Sequence, residues 1–289
     1  MTVRAAAQEA RHRGVALVAV LWMVAALSIM VVGMSYGVRA ETRRASLSRQ
    51  SVVLGALGTA ATHVVLQEML SLPEPITRLS YKDVSYQKRL IRVEITPVNG
   101  FIDINNAPES LLAKLILVQG GVESEQALSL ARRTIEIRSA KDPAGQTHGF
   151  EAVEDWLKVP GIDYTLYAKM KSLVSADLLG VGSGRVNALA APREVLTVLT
   201  GGNVEQASRI ASDRDAGRIG VDTTMLNAND IDTAATNRYR ISARVPASND
   251  TQLWTSQTVE ITPIKRDGLP WRIFNAERHF QSARPDRLG

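Results

Sequence analysis

Hydrophobic and polar positions divide the chain into stretches of different character. Val15 to Val38 runs for 24 residues without a charge. At about 1.5 Å of rise per residue, such a helix spans roughly 36 Å, enough to cross a bilayer core with some tilt. From Glu41 to Leu72 the chain keeps good helix formers, with Val53, Leu57, Ala60, Ala61, Val64, Val65 and Met69 at helical spacing. The pattern predicts that the same helix continues, amphipathic, until Pro73 and Pro75 stop it. His63 lies among those apolar positions and reads as a partly buried helix residue.

Strand patterns follow. Leu90 to Val98 alternates strictly, with Ile91, Val93 and Ile95 on one face and Arg92, Glu94 and Thr96 on the other. Gly100 to Ile104 reads as its continuation after an Asn99-Gly100 turn signal. Three more strands are predicted near the end, at Tyr239–Val245, Leu253–Ile264 and Trp271–Ala276. Between these groups, residues 105–230 read almost entirely as helix. That predicts an α+β architecture: a long helix with a small antiparallel sheet, split by a helical insertion.

The insertion repeats itself. Asn105-Asn106-Ala107-Pro108-Glu109 precedes the apolar run Leu111 to Ile116, and Val186-Asn187-Ala188-Leu189-Ala190-Ala191-Pro192-Arg193-Glu194 precedes Val195 to Leu199. Each copy then passes through Gly-Gly (120–121 and 201–202) into a helix containing Glu-Gln-Ala. Proline suits a first helical turn, where its missing N–H has no partner to lose, and asparagine nearby suits a turn or cap. A further hairpin runs from Phe150 to Leu157, turns at Val159-Pro160-Gly161-Ile162, and continues through Leu166 to Met170. Short helices joined by tight turns predict a helix-hairpin-helix or SAM-like bundle.

Charge changes the picture little. The net charge of +5 resides in the first fifty residues, which hold seven Arg against two Glu, while acids and bases balance in the remainder. The basicity therefore flanks the apolar helix, where cations meet lipid phosphates, and a basic nucleic-acid groove in the body is not supported. With no cysteine there is no thiolate metal site, thiol nucleophile or disulfide framework.

Candidate chemistry is sparse. Gly180-Val181-Gly182-Ser183-Gly184 lacks the Gly-Lys-Ser/Thr ending of a phosphate loop and reads as a connector. Asp213-Arg214-Asp215-Ala216-Gly217 starts like a calcium loop but lacks the closing carboxylate, so it reads as a polar helix end. Asp142, Glu151, Glu154 and Asp155 form a second, weaker acidic group. His12, His63, His148 and His279 have no ligand spacing, and Trp22, Trp156, Trp254 and Trp271 read as membrane or core packing. No nucleophile–base set is recognisable, and the chain reads as a non-enzyme.

The N-terminus carries the most specific signal. A short basic leader ends in Arg11-His12-Arg13-Gly14, directly against the apolar run. This resembles the processing site of type IV prepilins, in which a membrane peptidase cuts after the glycine and methylates the new N-terminus. The mature chain would then start at Val15, where most prepilins have Phe. Most members carry Glu as the fifth mature residue, and this chain has Ala19. A subunit without that carboxylate has no earlier neighbour to pair with and would be first in the fibre. Together with FIDINNAPESLLAKLI, FEAVEDWLKVPGIDYTLYAKM and VNALAAPREVL, the pattern resembles the general secretion pathway protein K family of type II secretion minor pseudopilins.

That resemblance implies a pseudopilin-like antiparallel sheet behind a membrane-spanning helix, with an inserted α-helical domain. The expected segments are a cleaved leader at 1–14, a transmembrane helix at 15–38, helix extension and first strands at 39–104, the inserted domain at 105–230, and returning strands with a tail at 231–289. The implied partners are minor pseudopilins I and J in a tip complex, other pseudopilins, prepilin peptidase and inner-membrane lipid, with the large domain in the periplasm. No cofactor is required, although some family members bind calcium. A second reading is a membrane-tethered helix-hairpin-helix DNA-binding protein. Against it, Asp163 closely follows the Pro160-Gly161 turn where such binders favour glycine, and the body is neutral.

Overall fold

The computed structural model describes the backbone of residues 3–176, 183–247, 251–266 and 268–282. It describes the side chains of those residues except 3–19, 29, 31–40, 42–44 and 263–266. The chain divides into two units, Met1–Leu54 and Gly55–Gly289.

One helix, α1, runs from Val3 to Leu70. No proline interrupts it before Pro73. In the larger unit its buried side comprises Leu57, Ala61, Val65, Leu66 and Met69. The helix packs on a five-stranded antiparallel sheet made of β1 (Ser80–Tyr86), β2 (Arg89–Pro97), β7 (Arg238–Pro246), β8 (Thr251–Arg266) and β9 (Leu269–Ser282), in that spatial order. Gly58 makes the approach close, because a Cβ there would overlap the Thr255 side chain on β8. The registers Val93↔Ala243 and Ala243↔Thr255 put Val93, Ala243 and Thr255 in one row on this face, and Ile91, Ile95, Ile241, Val245, Leu253 and Val259 are buried around it. The fold is α+β.

The sheet is a plain antiparallel meander interrupted once. The chain leaves at Pro97 and returns beside it, with Pro97 registered to Tyr239. The excursion contains two copies of one unit. In the first, β3 (Ile102–Asp103) leads to α2 (Glu109–Leu115), a π turn (Ile116–Gly120) and α3 (Ser124–Arg138). After the third hairpin, a 3-10 helix at Val153–Lys158 and α4 (Tyr164–Met170), the copy closes with β4 (Val174–Ser175), parallel to β3. In the second, β5 (Val186–Asn187) leads to α5 (Arg193–Leu199) and α6 (Val204–Asp215), and β6 (Ile231–Asp232) closes parallel to β5. Leu111, Leu112, Leu115, Ile116, Val195, Leu196 and Trp156 are completely buried in their shared core.

Each copy turns into its helix by the same device. The Asp103 carboxylate accepts from Asn105 N at 3.0 Å, and the Asn187 side-chain oxygen accepts from Leu189 N at 3.1 Å. Pro108 and Pro192 then stand at the cap position, one residue before the first turn, with carbonyls that accept from Leu112 N and Leu196 N. The copies also lock reciprocally. A Cβ on Gly100 would overlap the Ala190 carbonyl, and a Cβ on Gly184 would overlap the Asn106 carbonyl. Each glycine precedes its own strand by two residues, and each carbonyl precedes its own proline by two.

Several sequence expectations change here. β1 was not foreseen, since only Val84 in Ser80–Tyr86 is buried. It forms a hairpin with β2 through Gln87 and Lys88, both at positive φ. Gly100 to Ile104 does not extend β2. A 3-10 turn at Val98–Gly100 diverts the chain, and Ile102–Asp103 pairs inside the insertion instead.

Candidate functional site

Gly14, Val15 and Ala19 fall within α1, and their side chains lie outside the described residues. Among the described positions that follow, Val20, Leu21, Trp22, Met23, Val24, Leu27 and Met30 are all exposed, Trp22 by 74%. Apolar side chains exposed at successive positions cover the whole helix circumference, a surface that suits lipid or other helices and not water. Within the described side chains, Ala45–Leu70 also has the length and composition to cross a membrane, but half of it is buried in the molecule. From Leu57 onward it is the core helix of the head.

The side of the sheet away from α1 is polar, and β7 builds much of it. Arg240 lies over the Phe101 ring at 3.7 Å and donates to Ser172 O and Val174 O, both at 3.0 Å. Burial pushes its guanidinium pKa down to about 10. Four residues further along β7, Asp83, Arg92, Arg244, Trp254 and His279 form a single register row across all five strands. Arg92 pairs with Asp83 at 3.0 Å, and Arg244 sits over the Trp254 ring at 4.6 Å, while Trp254 stacks on His279.

Arg244 also reaches Glu94 at 3.0 Å, at the floor of a cleft of about 300 Å³ between the sheet and the second copy of the insertion. Tyr81, Glu94 and Arg244 line the sheet side, and Arg193, Glu194, Ser212, Arg214 and Asp215 line the other. Burial pushes the Glu94 carboxyl pKa above its usual range, against the pull of Arg244. Burial and the nearby Glu94 raise the Tyr81 phenol. Charges of both signs alternate around this cleft, and no histidine is among the residues that line it. Sequence reasoning missed the cleft. Its signal was the charged side of the alternating strands, Arg92-x-Glu94 and Arg240-x-x-x-Arg244.

The acidic candidates are committed elsewhere. Arg214 is buried, bridges to Asp215 at 2.7 Å and donates to the Ala191 carbonyl, while Asp213 pairs with Arg218 at 3.0 Å. Asp215 ends α6, as a polar helix end would, yet Arg214 beside it is a core residue. Asp142 accepts from Gln146 N and pairs with His148 at 2.8 Å, which holds its carboxyl below the usual range. Asp155 takes the amides of Glu151 and Ala152 and the Lys158 ammonium. Among the described residues, no group of three or more His, Asp or Glu side chains is placed to hold a metal. His63 is half-buried against Trp271, with ring centroids 5.8 Å apart. Of the candidate connector, Gly180, Val181 and Gly182 lie outside the described residues, while Gly184 is the locked glycine above.

The turns between the helices of the insertion carry an acidic rim. Lys169 donates to the Gly120 carbonyl at 2.9 Å, and Glu123 and Glu125 open α3 as Glu205 opens α6. Carboxylates at that place repel a phosphate backbone.

No family model matches the chain, and no curated protein matches it. Its fold is similar to that of a chain in a solved crystal structure, described as the GspK-GspI-GspJ complex from the enterotoxigenic Escherichia coli Type 2 Secretion System. The two share 14% sequence identity at a TM-score of 0.46, over 85% of this chain and 100% of that one.

Proposed function

We propose that this chain is a minor pseudopilin of type II secretion, occupying the tip of the pseudopilus and starting or capping its assembly. The observation that carries the reading is α1: one helix without a proline, apolar and exposed around Val20 to Met30, then buried against an antiparallel sheet from Leu57 to Met69. A subunit built this way offers lipid or neighbouring helices one end and a folded head the other. The leader ending at Gly14 supplies the processing signal, Val15 the new N-terminus, and Ala19 the missing carboxylate expected of a first subunit. An isolated carboxylate at that depth would cost about 2.5–3.5 kcal/mol unless paired.

On this reading the chain is a structural subunit and not an enzyme. It needs no cofactor, sits in the inner membrane with its head in the periplasm, and assembles with minor pseudopilins I and J. The size of the insertion fits a single-copy end position better than repeated lateral packing.

Mass spectrometry of the N-terminal peptide from membrane-purified protein tests the proposal. A peptide starting at methylated Val15, seen only when prepilin peptidase is present and lost in Gly14→Leu, is the expected result. A chain starting near Met1 under both conditions would overturn it.

A further inference from the structure

The sheet ends in two edges of opposite character. β1 is 7 residues long, and its charges are neutralised within the molecule: Lys82 pairs with Glu68 at 2.6 Å and Asp83 with Arg92 at 3.0 Å. β9 is 14 residues long and ends the strand order on the other side. From Arg272 to Ser282 every residue is exposed, including Ile273, Phe274 and Phe280 at 42%, 45% and 48%. Such a strand presents alternate N–H and C=O groups on its free side, a template for another strand.

The charge on β9 is positive on balance, with two arginines and one glutamate. Arg272 stacks on Phe274 at 4.9 Å on the polar side, and Arg278 lies beside Gly55 on the side of α1. Neither has a carboxylate partner among the described residues. Glu277 is the single acid on the strand; it accepts from Asn275 and its charge acts on Arg240. The edge thus carries a guanidinium on each face, that of Arg272 opposite Glu260 in the register with β8, with exposed apolar side chains between.

We infer that β9 is a docking edge for an extended segment of another protein, acidic on both faces and aliphatic between, which adds to the sheet as a further strand. Main-chain hydrogen bonds hold the segment, and Arg272 and Arg278 select its charge. A second copy of this chain fits poorly, because two β9 edges would line guanidiniums along one seam. The inference does not depend on the fibre role. It would hold for any chain with this edge.

The test uses the full chain in detergent micelles and hydrogen–deuterium exchange across β9. The probe is a short capped peptide of valine and glutamate with glutamates on both faces. Its control twin carries lysine in place of glutamate. The glutamate peptide is expected to protect alternate β9 amides, and Arg272→Glu/Arg278→Glu is expected to weaken its binding roughly tenfold or more. Should that variant misfold, the lysine twin keeps the comparison, since it must bind the wild-type edge far more weakly. Equal binding of the twins, absent β9 protection, or protection that rises with protein concentration alone would each overturn the inference, the last by naming a second copy as the occupant.

Discussion

The two copies within the insertion share a template and differ in how they hold the sheet. The first, Ile102–Ser175, is gripped from outside: the Arg240 guanidinium reaches in to the Ser172 and Val174 carbonyls. The second, Val186–Asp232, grips for itself. Asn187 Nδ2 donates to Thr77 O at 2.9 Å, and the Leu189 carbonyl accepts from Leu79 N at 3.0 Å, both partners on the segment leading into β1. The corresponding residue in the first copy is Asp103, a carboxylate. It accepts from Asn105 N and from Asn106 Nδ2 at 2.6 Å, but it has no N–H to offer outward. Both residues make the same turn. Replacing one oxygen by an amide nitrogen decides which copy is also a tether.

The largest effect should come from the contact the copies share. Gly184→Ala drives a methyl into the Asn106 carbonyl at a φ of +73°. It should cost more than about 3 kcal/mol in denaturant unfolding. Gly100→Ala should cost a comparable amount, and the double variant less than the sum, because both report on one interlock. Additive or very unequal losses would break the reciprocity. A middle-sized effect sharpens the tether. Asn187→Asp removes the donation to Thr77 and sets a carboxylate against that carbonyl, for a loss of about 1–3 kcal/mol. Asp103→Asn keeps the turn acceptor and should cost about 1 kcal/mol or less by the same measurement. Equal losses at the two positions would sink the distinction.

The smallest effect is in pH. The folded chain holds the Glu94 proton more tightly than the unfolded chain, whose carboxyl has the ordinary value of 4.5. Between that value and the raised one, the folded state binds more protons, so stability from this group is fully present at lower pH and is lost as pH rises through the raised pKa. Glu94→Gln should flatten the thermal midpoint against pH in that window above 4.5. An unchanged profile would mean that the cleft where the second copy meets the sheet is solvated like open surface.

Much of this fold was readable from periodicity. α1 and the strands β2, β7 and β8 declare themselves, because a two-sided environment demands one apolar face at a fixed repeat, while β9 shows only its first half, Trp271–Ala276, since its residues from Arg272 onward are exposed. β1 did not, since Ser80–Tyr86 buries Val84 and otherwise sits at an edge. The two-residue strands β3 to β6 are too short to show any period, and they exist because each copy closes on itself, β4 beside β3 and β6 beside β5. Glycine misled most. Asn99-Gly100 looked like a hairpin turn and Gly184 like part of a flexible connector, whereas each glycine marks a place where another backbone comes too close for a side chain. The cleft was hidden for a similar reason: Glu94 and Arg244 are neighbours only through strand pairing across the whole insertion.

The meander has a kinetic consequence. β1 with β2, and β7 with β8 and β9, are hairpins between chain neighbours and need only short loops to close. The seam between β2 and β7 must instead join Pro97 to Tyr239 around residues 98–238. For an unstructured loop that length carries a closure entropy which slows pairing. Once the two copies interlock, the excursion leaves and returns one strand spacing apart, roughly 4.8 Å, and most of that entropy has already been spent inside the insertion. Chain entropy therefore orders the assembly of the head, with helical copies first, flanking hairpins independently, and the central seam last.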